Sequence, residues 1–257
     1  MAMRIAVILR PVPDPGDDLS FNDDGTALDM EWTDVKANEF DEQASEEAIL
    51  LADATGAEVV AVALGVEGAD RMLRTALARG ASRAVRVAWD GQYAPDSATA
   101  APILAEAVRK LDVDLLLVGV QAADDATGPL TGRLAALLDW PWAGSVAGVE
   151  IVEGKVLARQ EYAGGHAAWL SLSVPAVLGI HSASQPIRYV SGSRMGAAMK
   201  MQIDAMTSVE TAPSTTVRPL SLAPRDVQGR AAMIEGTPEA MALQLRDLLT
   251  ARGLWPA

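Results

Sequence analysis

The chain has 257 residues, half of them apolar, and carries 34 Asp and Glu against 21 Lys and Arg for a formal charge of −13. The apolar share excludes a disordered chain and allows a sizeable core, while the acidic balance and the lack of a basic stripe disfavour nucleic acid as a partner. The absence of cysteine removes disulfides, thiol catalysis and Cys-ligated zinc or iron–sulfur centres together, and with no signal-peptide pattern or membrane-length apolar run the expectation is a cytoplasmic protein without membrane insertion.

In chain order, Arg4 to Leu9 (RIAVIL) reads as a short buried strand, broken by Pro11, Pro13 and Pro15 into a polar loop through about Trp32, with a turn at Asp23, Asp24 and Gly25. Ala44, Ala48 and Leu51 recur at helical spacing and predict a helix over 38–54, its acidic residues gathered at the front. Glu58 to Leu64 is a second strand, 68–79 a helix stopped by Gly80, Arg83 to Ala88 a third strand, 96–111 a helix, and Asp114 to Val118 a fourth strand. Strands alternating with helices of this length predict an α/β fold, a doubly wound and mainly parallel sheet of the nucleotide-binding, Rossmann-like kind.

After Pro141 the runs shorten and alternate. Val146 to Val152, Lys155 to Tyr162 and Ala167 to Val174 predict an antiparallel extension, and Ala176 to Ile180 a strand that can return to the main sheet. From Ser182 to about Gly236 periodicity fades, which suggests an arm lying on a partner. Thr237 and Pro238 then open a terminal helix over 238–252. The division expected is a nucleotide-binding domain at 1–190 and, at 191–257, a recognition loop and arm.

The stretch with most chemical content is DLLLVGVQAADDATGPLTGRLAALLDWP at 114–141, where a strand ends at Gly119 and a small, polar turn leads into a helix. Unpaired amides at such a helix start suit a phosphate. Asp124 and Asp125 argue against a bare phosphate, although an aspartate can cap a helix or hold a ribose hydroxyl. Open parallel sheets bind ligands at the carboxyl ends of their strands, which brings Ile8 to Arg10, Leu64-Gly65 and the start of the 38–54 helix to the same place; singly, Asn38 reads as a cap and Gly65 as a turn glycine. Catalytic options are few: His166 and His181 lack nucleophile or metal-spacing companions, and the carboxylate pairs Asp17-Asp18, Asp23-Asp24 and Glu46-Glu47 read as solvated surface. Neither GxxxxGK[ST] nor a GxGxxG after the first strand is present. No catalytic residue and no metal site are assigned.

Several segments resemble the β subunit of electron-transfer flavoproteins: ILRPVPDP at 8–15, NEFDEQASEEA at 38–48, LRTALARGASRAVRV at 73–87, LLLVGVQAADDATG with LLDWP, the EYAGG turn, VPAVLGI at 174–180 and RYVSGSRMGAAMK at 188–200. GRAAMIEGT at 229–237 further resembles the subgroup serving methylated-amine dehydrogenases. The resemblance implies a non-catalytic electron-transfer subunit, paired with a larger α subunit that holds most of the FAD, passing electrons from flavoprotein dehydrogenases to a quinone reductase and binding a structural AMP. It implies an AMP pocket of Ile8, Asn38, Leu64, Gly119, Gln121, Asp124, Asp125 and Thr127, with phosphate contacts from Ala126 to Gly128 because Pro129 lacks an amide, and Phe40 close to the flavin. It places the partner-recognition loop at Val190, Ser191, Gly192, Ser193, Arg194, Met195 and Gly196, with Gly192 where the family has an anchoring leucine. Three alternatives stand beside it: an electron-bifurcating β subunit with a second FAD in place of AMP, a nucleotide hydrolase or adenylating enzyme on the same fold, and a stand-alone nucleotide-binding stress-type protein.

Overall fold

A computed structural model describes residues 3–14, 19–31, 33–125, 129–207, 221–222 and 233–255. The chain divides into two compact units, Met1–Leu222 and Ala223–Ala257. In the first, the apolar runs become β1 (Arg4–Ile8), β2 (Pro11–Pro13), β3 (Val35–Ala37), β4 (Glu58–Leu64), β5 (Arg83–Val87) and β6 (Leu115–Gly119). After them come β7 (Trp142–Val152), β8 (Lys155–Glu161), β9 (Ala167–Leu172), β10 (Ala176–Ile180) and β11 (Asp204–Met206). The helices of this unit are α1 (Glu39–Thr55), α2 (Ala69–Arg79), α3 (Ser97–Leu111), α4 (Leu130–Leu138) and α5 (Gly192–Ala198), and the second unit contains α6 (Pro238–Ala251).

Nine strands form one sheet in the order β11-β5-β4-β1-β6-β10-β7-β8-β9. Pairing is parallel from β11 through β7 and antiparallel from β7 to β9, so the α/β class read from the alternation holds. Ile5 to Ile8 and Leu115 to Val118 are fully buried, as continuous aliphatic strands covered on both faces must be. From β1 the chain runs to β4 and β5 on one side, returns through α3 to β6 on the other side of β1, and continues away from it. The carboxyl ends of β1 and β6 therefore flank a switch point, where open α/β sheets leave a crevice.

Three features differ from the sequence reading. The proline-rich segment contains β2, paired antiparallel with β3; a two-stranded ribbon tolerates prolines because few ladder donors are required of it. β7 starts at Trp142 and not at Val146, because its first residues pair parallel with β10 and its remainder antiparallel with β8, with a bulge between Val146 and Val149 and Gly148 at φ 158°. The change of partner interrupts the alternation from which the strand was recognised. The aperiodic stretch after Ser182 contains α5, capped by the Ser191 hydroxyl accepting from the Arg194 amide, and β11, which extends the sheet beyond β5. Both are too short to show a period. The first compact unit accordingly runs past residue 190.

A fourth difference concerns charge. Glu46 and Glu47 are 1% exposed, not solvated. Glu47 accepts hydrogen bonds from the Val149 amide (2.9 Å), the Ser184 amide (2.7 Å) and the Ser184 hydroxyl (2.8 Å), while Glu46 accepts from the Arg188 amide and Nε (3.1 and 2.8 Å). α1 lies across β1, β6, β10 and β7, so its polar face meets backbone and not water. Asp23 and Asp24 are exposed as expected. Replacing Glu47 by Ala leaves its buried donors without an acceptor and is expected to lower unfolding free energy by about 3 kcal/mol, read as a lower midpoint in urea denaturation; an unchanged midpoint would show that the carboxylate is not what holds β7 to α1.

Candidate functional site

Asp41, in the first turn of α1, is 1% exposed, and both of its oxygens are used. Oδ1 accepts from the Gly119 amide at the end of β6 (2.9 Å), and Oδ2 from the Arg10 amide just past β1 (2.9 Å). The Arg10 side chain folds back onto the same carboxylate, with Nε 3.2 Å from Oδ2 and Nη2 3.4 Å from Oδ1. A Cβ on Gly119 would stand 2.3 Å from Asp41 Oδ1 and 2.7 Å from the Asp41 amide nitrogen. Only glycine lets the helix start approach the strand end this closely.

Asn38 is the N-cap residue of α1 by position, yet its side chain makes no capping bond. Its Nδ2 donates instead to the Gln121 carbonyl (2.9 Å), tying α1 to the loop after β6. On the other wall of the crevice, Asp125 accepts from the Ser97 amide at the start of α3 (3.2 Å) and lies 4.0 Å from Arg10 Nη1, which also reaches the Ser97 hydroxyl at 3.5 Å. Burial alone would weaken the Arg10 charge, but Asp41, with help from Asp124 and Asp125, outweighs it and holds the guanidinium more firmly protonated than usual. Asp124 is pushed above the ordinary aspartate value of 3.8, chiefly by desolvation; nearby Asp125 and Asp41 add to the shift, while its own amide and Arg10 oppose it.

Ile8, Leu64 and Arg10 line a cavity of about 20 Å³ under the crevice. A larger one of about 380 Å³ opens beside it between the β2–β3 ribbon and the loop after β6, with Pro11, Val12, Leu28, Tyr93 and Asp124 on its walls. Phe40 is half-buried against the His181 ring, 5.6 Å between centroids. Ile8, Asn38, Phe40, Leu64, Gly119, Gln121, Asp124 and Asp125 are thus placed around the ends of β1, β4 and β6, whereas Ala126, Thr127 and Gly128 lie outside the described residues, as does the 229–232 part of 229–237. Sequence reasoning brings Arg10 and the start of α1 to the crevice but assigns no role to Arg10 or Asp41 and does not foresee their pairing. The available signal was a lone cation ending an apolar strand in an acidic chain, which requires a partner carboxylate.

The expected recognition segment sits against α2. Arg74 Nη1 donates to the carbonyls of Ala198 (2.7 Å) and Met201 (2.6 Å), and Arg194 Nη2 to the Arg79 carbonyl (3.1 Å). Gly192, Ser193, Arg194 and Gly196 are exposed, and Val190 and Ser191 half-buried. Met195 packs against the core, so the apolar side chains left at the surface here are Tyr189, Met199 and Met201.

A family model described as the electron transfer flavoprotein domain matches residues 29–213. The electron transfer flavoprotein subunit beta of Methylophilus methylotrophus is 30% identical over 96% of this chain and 98% of its own length. The chain belongs to the electron transfer flavoprotein family, on the β-subunit side. Proteins of the same description from Syntrophomonas wolfei subsp. wolfei (33% identical, 82% of each chain) and Dictyostelium discoideum (30% identical, 80% of this chain and 82% of that one) are also similar. Among the described residues of this electron transfer flavoprotein chain, no helix is long and apolar enough to cross a membrane.

Two outcomes follow from the crevice. Gly119→Ala forces Asp41 and the start of α1 away from β6 and is expected to cost about 3 kcal/mol, measured by chemical denaturation; a loss within error of zero would mean the approach is slack. For Asp124 the folded state holds the proton more tightly than the unfolded chain, so its contribution is favourable below pH 3.8 and is lost as pH rises through the elevated folded-state value. Asp124→Asn should therefore match the parent in stability below pH 3.8 and exceed it above; urea midpoints across that range check the sign, and a difference independent of pH would contradict it.

Proposed function

We propose that this chain is the β subunit of a heterodimeric electron carrier that accepts electrons from flavoprotein dehydrogenases and delivers them to a quinone reductase, with FAD held mainly by the α subunit and AMP in the β-chain crevice. The isoalloxazine ring of FAD supplies the electron-carrying chemistry, and the protein positions and tunes it. The observation that carries the reading is a site built at the switch point of a chain matched to this family over nearly its whole length.

The residues present fit AMP. The 380 Å³ cavity lies within the roughly 300–1,000 Å³ of small-molecule sites, and its prolines, Val12, Leu28 and Tyr93 offer apolar walls for a purine. Asp124 and Asp125 carry acceptors for ribose hydroxyls, and Arg10 is a nearby cation for the phosphate. Ile8 and Leu64 would close the apolar floor, Asn38 and Gly119 keep the two loops in register, and Gln121 lines the approach. Phe40, half-buried in the first turn of α1, would face the flavin edge. In this reading residues 190–196 meet the dehydrogenase, with Tyr189, Met199 and Met201 supplying the apolar contact that Gly192 does not. Exposed Trp142, Tyr162 and Trp169 on β7–β9, together with α6, none of whose residues is buried, suit a large partner chain.

Co-expression with the α-subunit gene and counting of released cofactors tests this directly. One FAD and one AMP per yellow heterodimer is the expected result. Two FAD and no AMP would replace AMP by a second flavin in the same crevice, and a folded chain without affinity for any α subunit would overturn the heterodimer.

A further inference from the structure

On the sheet face carrying α1 and α2, a groove of about 380 Å³ runs between these two helices and is roofed by β3. It shares only Leu9 with the small cavity containing Ile8 and Leu64 and no residue with the larger cavity containing Asp124. Lys36, Arg71 and Arg79 line it against a single carboxylate, Glu42. This is a local excess of cations in a chain of formal charge −13.

The donors here are not all engaged. Lys36 Nζ pairs with Asp14 (3.1 Å), and Arg79 Nη2 with Glu42 (2.8 Å). Arg71 Nη2 donates to the Val35 carbonyl (2.6 Å) and has no carboxylate partner among the described residues. Two further groups of residues lining the groove, Arg79 Nε and Ser45 Oγ, are buried with no hydrogen-bond partner among the described residues, and Ser45 is 1% exposed. A buried N–H and a buried hydroxyl left unmade on the same groove, beside an uncompensated guanidinium, ask for an acceptor that carries negative charge. Arginine forks and a serine hydroxyl are the donors suited to phosphate oxygens.

We propose that the α1–α2 groove is an anion site for a small phosphate-bearing ligand, separate from the nucleotide crevice, held by Arg71, Arg79 and Ser45 with Lys36 at the rim. It stands whether the crevice takes AMP or FAD. The groove backs onto the segment that rests on α2, since the Arg79 carbonyl receives Arg194, so a ligand there touches the same helix that carries α5.

The test is calorimetric titration of inorganic pyrophosphate into the full chain with the crevice saturated by AMP. One site is expected, and Ser45→Ala and Arg71→Gln should each weaken it about tenfold, the loss of one strong hydrogen bond, with folded-state circular dichroism unchanged. The Ser45 hydroxyl has no hydrogen-bond partner among the described residues, so its variant reports the ligand more than stability. Asp124→Asn, in the crevice, should leave pyrophosphate affinity as it was. Absence of binding by the folded parent chain, an affinity in both groove variants unchanged from the parent, or displacement of pyrophosphate by AMP would each overturn the assignment.

Discussion

One carboxylate holds the working end of this molecule together. Asp41 takes an amide from the end of β1 and another from the end of β6, and it neutralises the guanidinium that follows β1. A charge this deeply buried is tolerable only because donors reach both oxygens. Remove the pairing and three segments far apart in sequence lose their common anchor. The facing of the loops at 9–14 and 120–125, the tie from Asn38 to Gln121 and the bracing of Asp125 against α3 all presuppose it.

The same logic extends down α1. Gln43, Glu46 and Glu47 accept the backbone amides of Ala183, Arg188, Val149 and Ser184, so this helix serves the bulge in β7 and the irregular chain after β10. Helices usually pack through an apolar stripe. Here a polar stripe replaces part of it and secures the passage from β10 towards α5. The chain's acidity is thus partly structural: carboxylates inside the fold match amides and arginines, and the groove between α1 and α2 is left with the opposite sign.

The central strands and long helices were legible in the residues because burial on both faces leaves uninterrupted aliphatic runs, as at 59–64 and 115–118, and because the 3.6 period persists over several turns. The short elements β2, β3, α5 and β11 were not, since three to seven residues hold less than two periods. The crevice was located from strand ends and glycine placement, and Asn38, Gly119 and Asp125 occupy its walls. What stayed hidden was the pairing within it. Acidic residues at the front of a helix look like ordinary dipole partners, and nothing along the chain says that Asp41 turns inward to Gly119 while Glu39 turns out.

The position of β10 has a bearing on how the chain acquires its structure. β6 is flanked by β1 on one side and β10 on the other, yet β10 is synthesised only after the whole β7–β9 hairpin excursion. The parallel sheet therefore cannot be completed by the first 140 residues, and an emerging nucleotide-binding half displays an open, wholly apolar edge until residue 180 has left the ribosome. Long-range closure of this kind is slow and exposes a sticky intermediate. The antiparallel extension is by this route an obligatory passage in biogenesis: the chain must synthesise it before β6 gains its second neighbour.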